Sequence, residues 1–79
     1  MKVRVLVSLK PGILDPQGKA VEQGLSGFGF TPEQVRVGKL IEFEVAAKDQ
    51  ADAQAQAQAM CDKMLVNPVM EKAVIEVLG

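Results

Sequence analysis

The sequence predicts an α+β protein made of a single domain, residues 1–79, in which an antiparallel sheet is covered on one face by two helices. Length and composition fit this class, because 79 residues of which 48% are hydrophobic suffice for one small core. Apolar residues alternate with polar ones in three segments, as in half-buried strands. The two segments between them carry apolar residues at helical spacing. The order β-α-β-α-β therefore predicts a two-layer sandwich.

The first strand is predicted from Lys2 to Lys10, where apolar and polar residues alternate. Leu6 is the large apolar residue on the otherwise polar face. The face predicted to be buried consists of Val3, Val5, Val7 and Leu9.

The first helix is predicted to begin at Asp15-Pro16, because aspartate is a good N-cap and proline suits the first helical position. Gly18 and Gly24 each cost a helix roughly 1 kcal/mol relative to alanine. We expect close approach to another backbone to explain both glycines. The stripe predicted to be buried consists of Ala20, Val21, Gly24, Leu25 and Phe28.

The second strand is predicted as one long strand from Val35 to Val45 that bends at Gly38. Its odd positions are apolar throughout, and a two-residue hairpin at Gly38 would place Glu42 on the buried face. Strands are usually about 5–6 residues long, so one end of this strand is expected to extend beyond the edge of a small sheet. Its free end could pair with a second chain.

The second helix is predicted from Ala51 to Leu65, with Asp49 as its N-cap, because alanine and glutamine favour helices over strands. Cys61 lies on its apolar stripe, so we interpret it as a core thiol and not a nucleophile. Asn67-Pro68 ends the helix. A last strand is predicted from Lys72 to Leu78.

This arrangement is related to the ferredoxin-like fold, and it leaves one face of the sheet without helices. The apolar residues predicted on that face are Leu6, Leu40, Val74 and Leu78. A chain this small gains stability from oligomerisation. We therefore expect self-association through the sheet.

Composition excludes several classes of function. A formal net charge of −1 and an aromatic content of 4% leave neither a basic surface for phosphates nor rings to stack on bases. The chain has no histidine, the commonest general base and metal ligand. We therefore expect no nucleic-acid binding, no catalytic residue, no metal and no cofactor in this chain, which is not an enzyme by itself.

The cellular location is predicted from two further features. The N-terminal region opens directly into a strand pattern, and no apolar run is long enough for a signal peptide or a membrane span. A single cysteine excludes an internal disulfide. Both features predict a cytoplasmic protein.

Three stretches of sequence carry distinctive motifs. Residues 7–25 read VSLKPGILDPQGKAVEQGL, residues 35–45 read VRVGKLIEFEV, and residues 61–77 read CDKMLVNPVMEKAVIEV. In order and spacing they resemble the PurS family, the small subunit of phosphoribosylformylglycinamidine (FGAM) synthase. The resemblance covers essentially the whole chain.

The resemblance implies a place in a three-part glutamine amidotransferase of de novo purine biosynthesis. A PurQ-type glutaminase subunit releases ammonia, and a PurL-type synthetase subunit uses ATP and Mg to add that ammonia to formylglycinamide ribonucleotide. A PurS-type subunit has no active site of its own. It bridges the other two, assists ammonia transfer, and forms a homodimer or homotetramer.

Partner-binding residues are expected in and beside the motifs LDPQG, VRVGK and NPV. They are Lys10, Asp15, Pro16, Gln17, Gly18, Arg36, Gly38, Lys39, Asn67 and Pro68. An alternative is an ACT-like regulatory module, which would bind a small molecule at a subunit interface near the turn from Lys10 to Gly18.

Overall fold

The computed structural model describes residues 1–79 and shows three strands and two helices. The elements are β1 Lys2–Leu9, α1 Pro16–Gly27, β2 Lys39–Glu44, α2 Gln50–Met60 and β3 Glu71–Val77. The strands form one antiparallel sheet in the order β2-β1-β3. The predicted α+β class and its antiparallel sheet are confirmed.

The core lies between β1 and α2. β1 is the central strand, so its odd residues are covered by neighbouring strands on both sides and by α2 above. The small alanines of α2 bring the helix close to the sheet. The buried hydrophobic residues of this core are Val3, Val5, Val7, Ala53, Ala57 and Cys61.

α2 begins at the predicted N-cap, since Oδ1 of Asp49 accepts a hydrogen bond of 2.8 Å from the Asp52 N–H. After Met60 the helix widens into a π-helical turn, Cys61–Leu65, closed by a bond from the Val66 N–H to the Cys61 carbonyl. Cys61 is a core thiol, as predicted. Burial, together with the neighbouring Asp62 carboxylate, raises its pKa.

β2 is shorter than predicted, because only Lys39–Glu44 pair with β1. The residues just before it belong to no strand, because the N–H groups of Val35 and Val37 donate to the carboxylates of Glu22 and Asp15. The predicted strand from Val35 to Val45 with a bend at Gly38 is therefore wrong in its first four residues, and Gly38 lies immediately before β2. A β-carbon there would lie 2.7 Å from the Val7 carbonyl oxygen, so this position requires glycine.

The prediction that both helices cover the sheet is wrong for α1. α2 packs across β1 and β3, whereas α1 makes no comparable contact with any strand or with α2. Its predicted buried stripe is exposed, with Val21 at 44%, Leu25 at 37% and Phe28 at 83%. The molecule is 50 Å long, and its radius of gyration is 15.7 Å. A compact chain of this length would have about 12 Å.

The face of the sheet opposite α2 is uncovered. Its four apolar residues are between 40% and 59% exposed and lie where the alternation predicted them: Leu6, Leu40, Val74 and Leu78. In the register, Leu6 is opposite both Leu40 and Val74. No helix of the chain has the length and apolar character needed to cross a membrane.

Candidate functional site

One end of the sheet gathers the predicted partner-binding residues. β1 ends at this point, and the two strands antiparallel to it begin there, so three chain segments meet. The register places Lys39 opposite Val7 and Glu71 opposite Leu9. The motif residues are therefore neighbours in space although they are far apart in sequence.

Lys10 joins the segments at this end. Its Nζ donates a hydrogen bond of 2.6 Å to the Pro68 carbonyl, and its backbone N–H donates to the Met70 carbonyl at 2.9 Å. Its own carbonyl accepts from Nη2 of Arg36 at 3.2 Å. Lys10 thus links the NPV motif to the VRVGK motif.

Asp15 joins the LDPQG motif to the same network. Its Oδ1 accepts from the Gly18 N–H and its Oδ2 from the Val37 N–H, both at 2.8 Å, and Nε of Arg36 lies 3.8 Å from Oδ2. The hydrogen bond from Gly18, then the one from Val37, lowers the pKa of Asp15, and the Arg36 charge adds to this effect. The side chain is only 6% exposed. Asp15 is therefore an ionised, nearly buried residue that connects the start of α1 to the segment before β2.

Asn67 folds the NPV motif into a turn. Its Oδ1 accepts from the N–H groups of Val69 and Met70, and its N–H donates to Oε1 of Glu71 at 2.8 Å. Oε2 of Glu71 lies 3.7 Å from Nζ of Lys39, which reaches across β1. The turn after α2 is thereby tied to the start of β2.

The structure thus connects seven of the ten predicted residues through this network, and Gly38 lies between Val37 and Lys39, which both belong to it. Pro16 and Gln17 lie on the first turn of α1 beside it, and both are exposed. Glu22 and Glu71 also belong to the site, and sequence reasoning missed them. Only the strand register and the position of α1 reveal their partners, so no sequence motif marked them.

An open cleft of about 940 Å³ lies beside the network. Its walls are the end of β1, the turn of residues 11–14, the start of α1, residues 34–36 and Lys72. Among its lining residues, Lys19 pairs with Glu22 at 3.7 Å and Arg36 with Asp15 at 3.8 Å, and Lys72 adds a further cation. No group of histidine, cysteine, aspartate or glutamate side chains is arranged to hold a metal ion.

These features define a class of small α+β protein. In it, three sequence motifs form a polar, exposed junction at one end of a three-stranded sheet. The chain belongs to the PurS family. The family model described as "PurS: Phosphoribosylformylglycinamidine (FGAM) synthase" matches residues 2–79.

Individual relatives agree with this assignment. The chain is 44% identical over 75 residues to phosphoribosylformylglycinamidine synthase subunit PurS of Synechocystis, covering 94% of this chain and 75% of that protein. It is 42% identical to the Bacillus subtilis subunit of the same name, covering 89% and 83%. The crystal structure of the Thermotoga maritima purS subunit superposes with a TM-score of 0.90 at 31% identity, covering 98% of this chain and 90% of that one. The fold and the sequence point to the same family.

Proposed function

We propose that this chain is a non-catalytic bridging subunit of FGAM synthase in de novo purine biosynthesis. It binds a PurL-type synthetase subunit and a PurQ-type glutaminase subunit and assists the transfer of ammonia between them. One observation carries the proposal: the three motifs shared with the family meet at one exposed end of the sheet and are tied together there. The cytoplasm is the location that fits this biosynthetic task.

The chemistry of this end suits protein recognition. Arg36 and Lys39 carry charged groups that are about half exposed, and Pro16 and Gln17 are exposed on the first turn of α1, where Pro16 lines the same cleft as Arg36. The hydrogen bonds of Lys10 and Asp15 hold the backbone beneath these groups in one conformation. A surface ordered before binding loses less conformational entropy when a partner docks.

The non-catalytic part of the proposal rests on the side chains present. The single thiol, Cys61, is buried with a raised pKa, so it is protonated at neutral pH and a poor nucleophile. In this proposal ATP and Mg are bound by the PurL-type partner, and glutamine by the PurQ-type partner.

Self-association is also part of the proposal. The uncovered sheet face, with Leu6 at its centre, offers an apolar surface to a second copy of the chain. A stable interface buries about 1,200–2,000 Å² in total. We propose a homodimer or homotetramer built on this face.

Co-elution tests the bridging function. The purified chain is mixed with its PurL-type and PurQ-type partners from the same organism, with glutamine and nucleotide present, and the mixture is separated by gel filtration with mass measurement. We expect one complex that contains all three chains in a fixed ratio. A PurL–PurQ complex of the same size and yield with this chain left out would contradict the proposal.

The cleft favours a second candidate, an ACT-like module that binds a small molecule. It lies beside the turn from Lys10 to Gly18, the predicted position for such a ligand, and cations and carboxylates both line it. Titration calorimetry of the isolated chain against nucleotides and amino acids separates the two candidates. Tight binding supports the regulatory module, and no heat of binding supports the bridging subunit.

A further inference from the structure

The attachment of α1 to the rest of the molecule is unusual. α1 does not pack on the sheet, and its apolar side chains Val21 and Leu25 are exposed. Within one chain, packing therefore does not determine its direction. Its N-cap and its N-terminal half instead contact residues 35–37, just before β2, through Asp15, Gly18 and Glu22.

Asp15 does more than cap the helix. A helix N-cap needs one oxygen to accept from an N–H of the first turn, and Asp49 shows this simple case with a single bond to the Asp52 N–H. Asp15 makes the equivalent bond to Gly18 with Oδ1 and uses Oδ2 for the Val37 N–H, which is 22 residues further along the chain. The second oxygen is a direct link between α1 and the segment leading into β2.

Neighbouring residues reinforce that link. Gly18 lies against the Val35 carbonyl so closely that a β-carbon could not fit between them. One helical turn later, Oε1 of Glu22 accepts from the Val35 N–H at 3.3 Å. Gln34, just before this segment, has a φ of 54°, in the left-handed region that costs energy for residues other than glycine. Surrounding contacts must hold such a backbone in place.

We infer that Asp15 is a positioning residue, which fixes the direction of α1 relative to the sheet through its simultaneous bonds to Gly18 and Val37. Pro16, which lines the same cleft as Arg36, and its exposed neighbour Gln17 are thereby held against the junction, and a partner subunit meets them as one surface. This inference rests on the proposed function, since it explains how the bridging surface keeps its shape.

Asp15→Asn separates positioning from capping. Asparagine caps helices as well as aspartate does, but it has one oxygen, and its NH₂ group cannot accept a hydrogen bond. Because Gly18 and Val37 approach different oxygens of Asp15, the NH₂ group of the variant faces one of these N–H groups and leaves it without an acceptor. Asp49→Asn is the matched control, because that carboxylate uses a single oxygen to cap α2.

The first measurement is amide hydrogen exchange by NMR on the isolated full-length chain. In Asp15→Asn, we expect exchange at Val37 or Gly18 to be at least about tenfold faster than in the wild type, as for the loss of a charge-assisted hydrogen bond. The amides of β1 in this variant should exchange at the wild-type rate. In Asp49→Asn, all amides outside the cap of α2 should also exchange at the wild-type rate. Wild-type exchange at both Val37 and Gly18 in Asp15→Asn would mean that Asp15 only caps the helix, and would overturn the inference.

The second measurement is binding of each variant to the partner subunits. We expect Asp15→Asn to bind at least about tenfold more weakly, and Asp49→Asn to bind like the wild type. Faster exchange combined with wild-type binding would overturn the positioning role. A wild-type chain that binds neither partner would overturn the proposed function, and the exchange data would still decide whether Asp15 holds α1.

Discussion

Two glycines of α1 show how far a single residue can be interpreted from sequence. We predicted close backbone approach at both Gly18 and Gly24. The structure confirms it at Gly18, which lies against the Val35 carbonyl, whereas Gly24 faces open space. The two positions look alike in the sequence because both interrupt a helical pattern. Only the course of residues 34–38 distinguishes them, and no local motif encodes it.

Alanine substitution should separate these glycines. Gly18→Ala places a methyl group against the Val35 backbone and should lower the free energy of unfolding by about 1–3 kcal/mol, as overpacking does. Gly24→Ala should raise it by about 0.5–1 kcal/mol, because alanine favours the helix and meets no neighbour. Urea unfolding at a fixed protein concentration measures both. Equal effects of the two substitutions would contradict the close approach at Gly18.

Asp15 should make stability depend on acid pH. Its pKa lies below the ordinary value of 3.8, first because of the hydrogen bond from Gly18, then because of the one from Val37, with Arg36 contributing. Since the folded pKa is the lower one, the ionised carboxylate stabilises the folded chain above about pH 3.8. That stabilisation declines as the pH falls below 3.8 and is lost once the pH is below the folded pKa.

Comparison with Asp15→Asn isolates this contribution. Between pH 6 and pH 2, the free energy of unfolding of the wild type should fall by more than that of the variant, which cannot ionise at this position. Thermal unfolding across this range provides the values. Parallel pH profiles would show that the carboxylate is no better stabilised in the folded chain than in the unfolded one.

The secondary-structure elements were largely predictable from sequence, but their packing was not. Alternation located the strands, and aspartate caps located both helix starts, because these signals are local. The valines at 35 and 37 continue the alternation, yet their N–H groups pair with the side chains of Glu22 in α1 and of Asp15, its N-cap. The apolar stripe of α1 predicted a buried helix face, but the pattern does not identify the surface that would cover it. Within one chain this stripe is exposed, because α1 packs on neither the sheet nor α2.

The uncovered face of the sheet should control the oligomeric state. Leu6→Asp places a charge at the centre of the apolar row that includes Leu40 and Val74, so self-association through this face should be lost. Leu14→Asp is the control, since Leu14 is 88% exposed on a loop outside the sheet. Gel filtration with light scattering should show monomers for Leu6→Asp and oligomers for the control. An unchanged mass for Leu6→Asp would mean that the copies meet elsewhere.

At the scale of the whole molecule, the candidate site is a product of the sheet topology. The motifs named the residues, but nothing in the sequence showed that Lys10 reaches Pro68 or that Lys39 reaches Glu71. Those contacts depend on the order β2-β1-β3, which places both outer strands against β1. Register and strand order arise from the complete fold, so local patterns could not predict them.

Charge reversal at the junction should prevent assembly while preserving the fold. Lys10 and Lys39 make exposed contacts, and exposed ion pairs contribute about 1 kcal/mol or less to stability. The double variant Lys10→Glu/Lys39→Glu should therefore remain folded but should fail to bind the partner subunits. Lys48→Glu/Lys63→Glu, an equal charge change at exposed lysines elsewhere, should bind normally. Equal binding by the two double variants would show that the junction lysines only face solvent.

The most direct test of the account is whether the other two subunits need this chain for the glutamine reaction. Purified PurL-type and PurQ-type partners are supplied with glutamine, ATP, Mg and formylglycinamide ribonucleotide, and FGAM formation is measured with and without the chain. A parallel reaction with free ammonia in place of glutamine controls for the synthetase itself. We predict that the chain is required for the glutamine-dependent rate and much less important for the ammonia-dependent one. Equal glutamine-dependent rates with and without the chain would contradict its role as a bridging subunit.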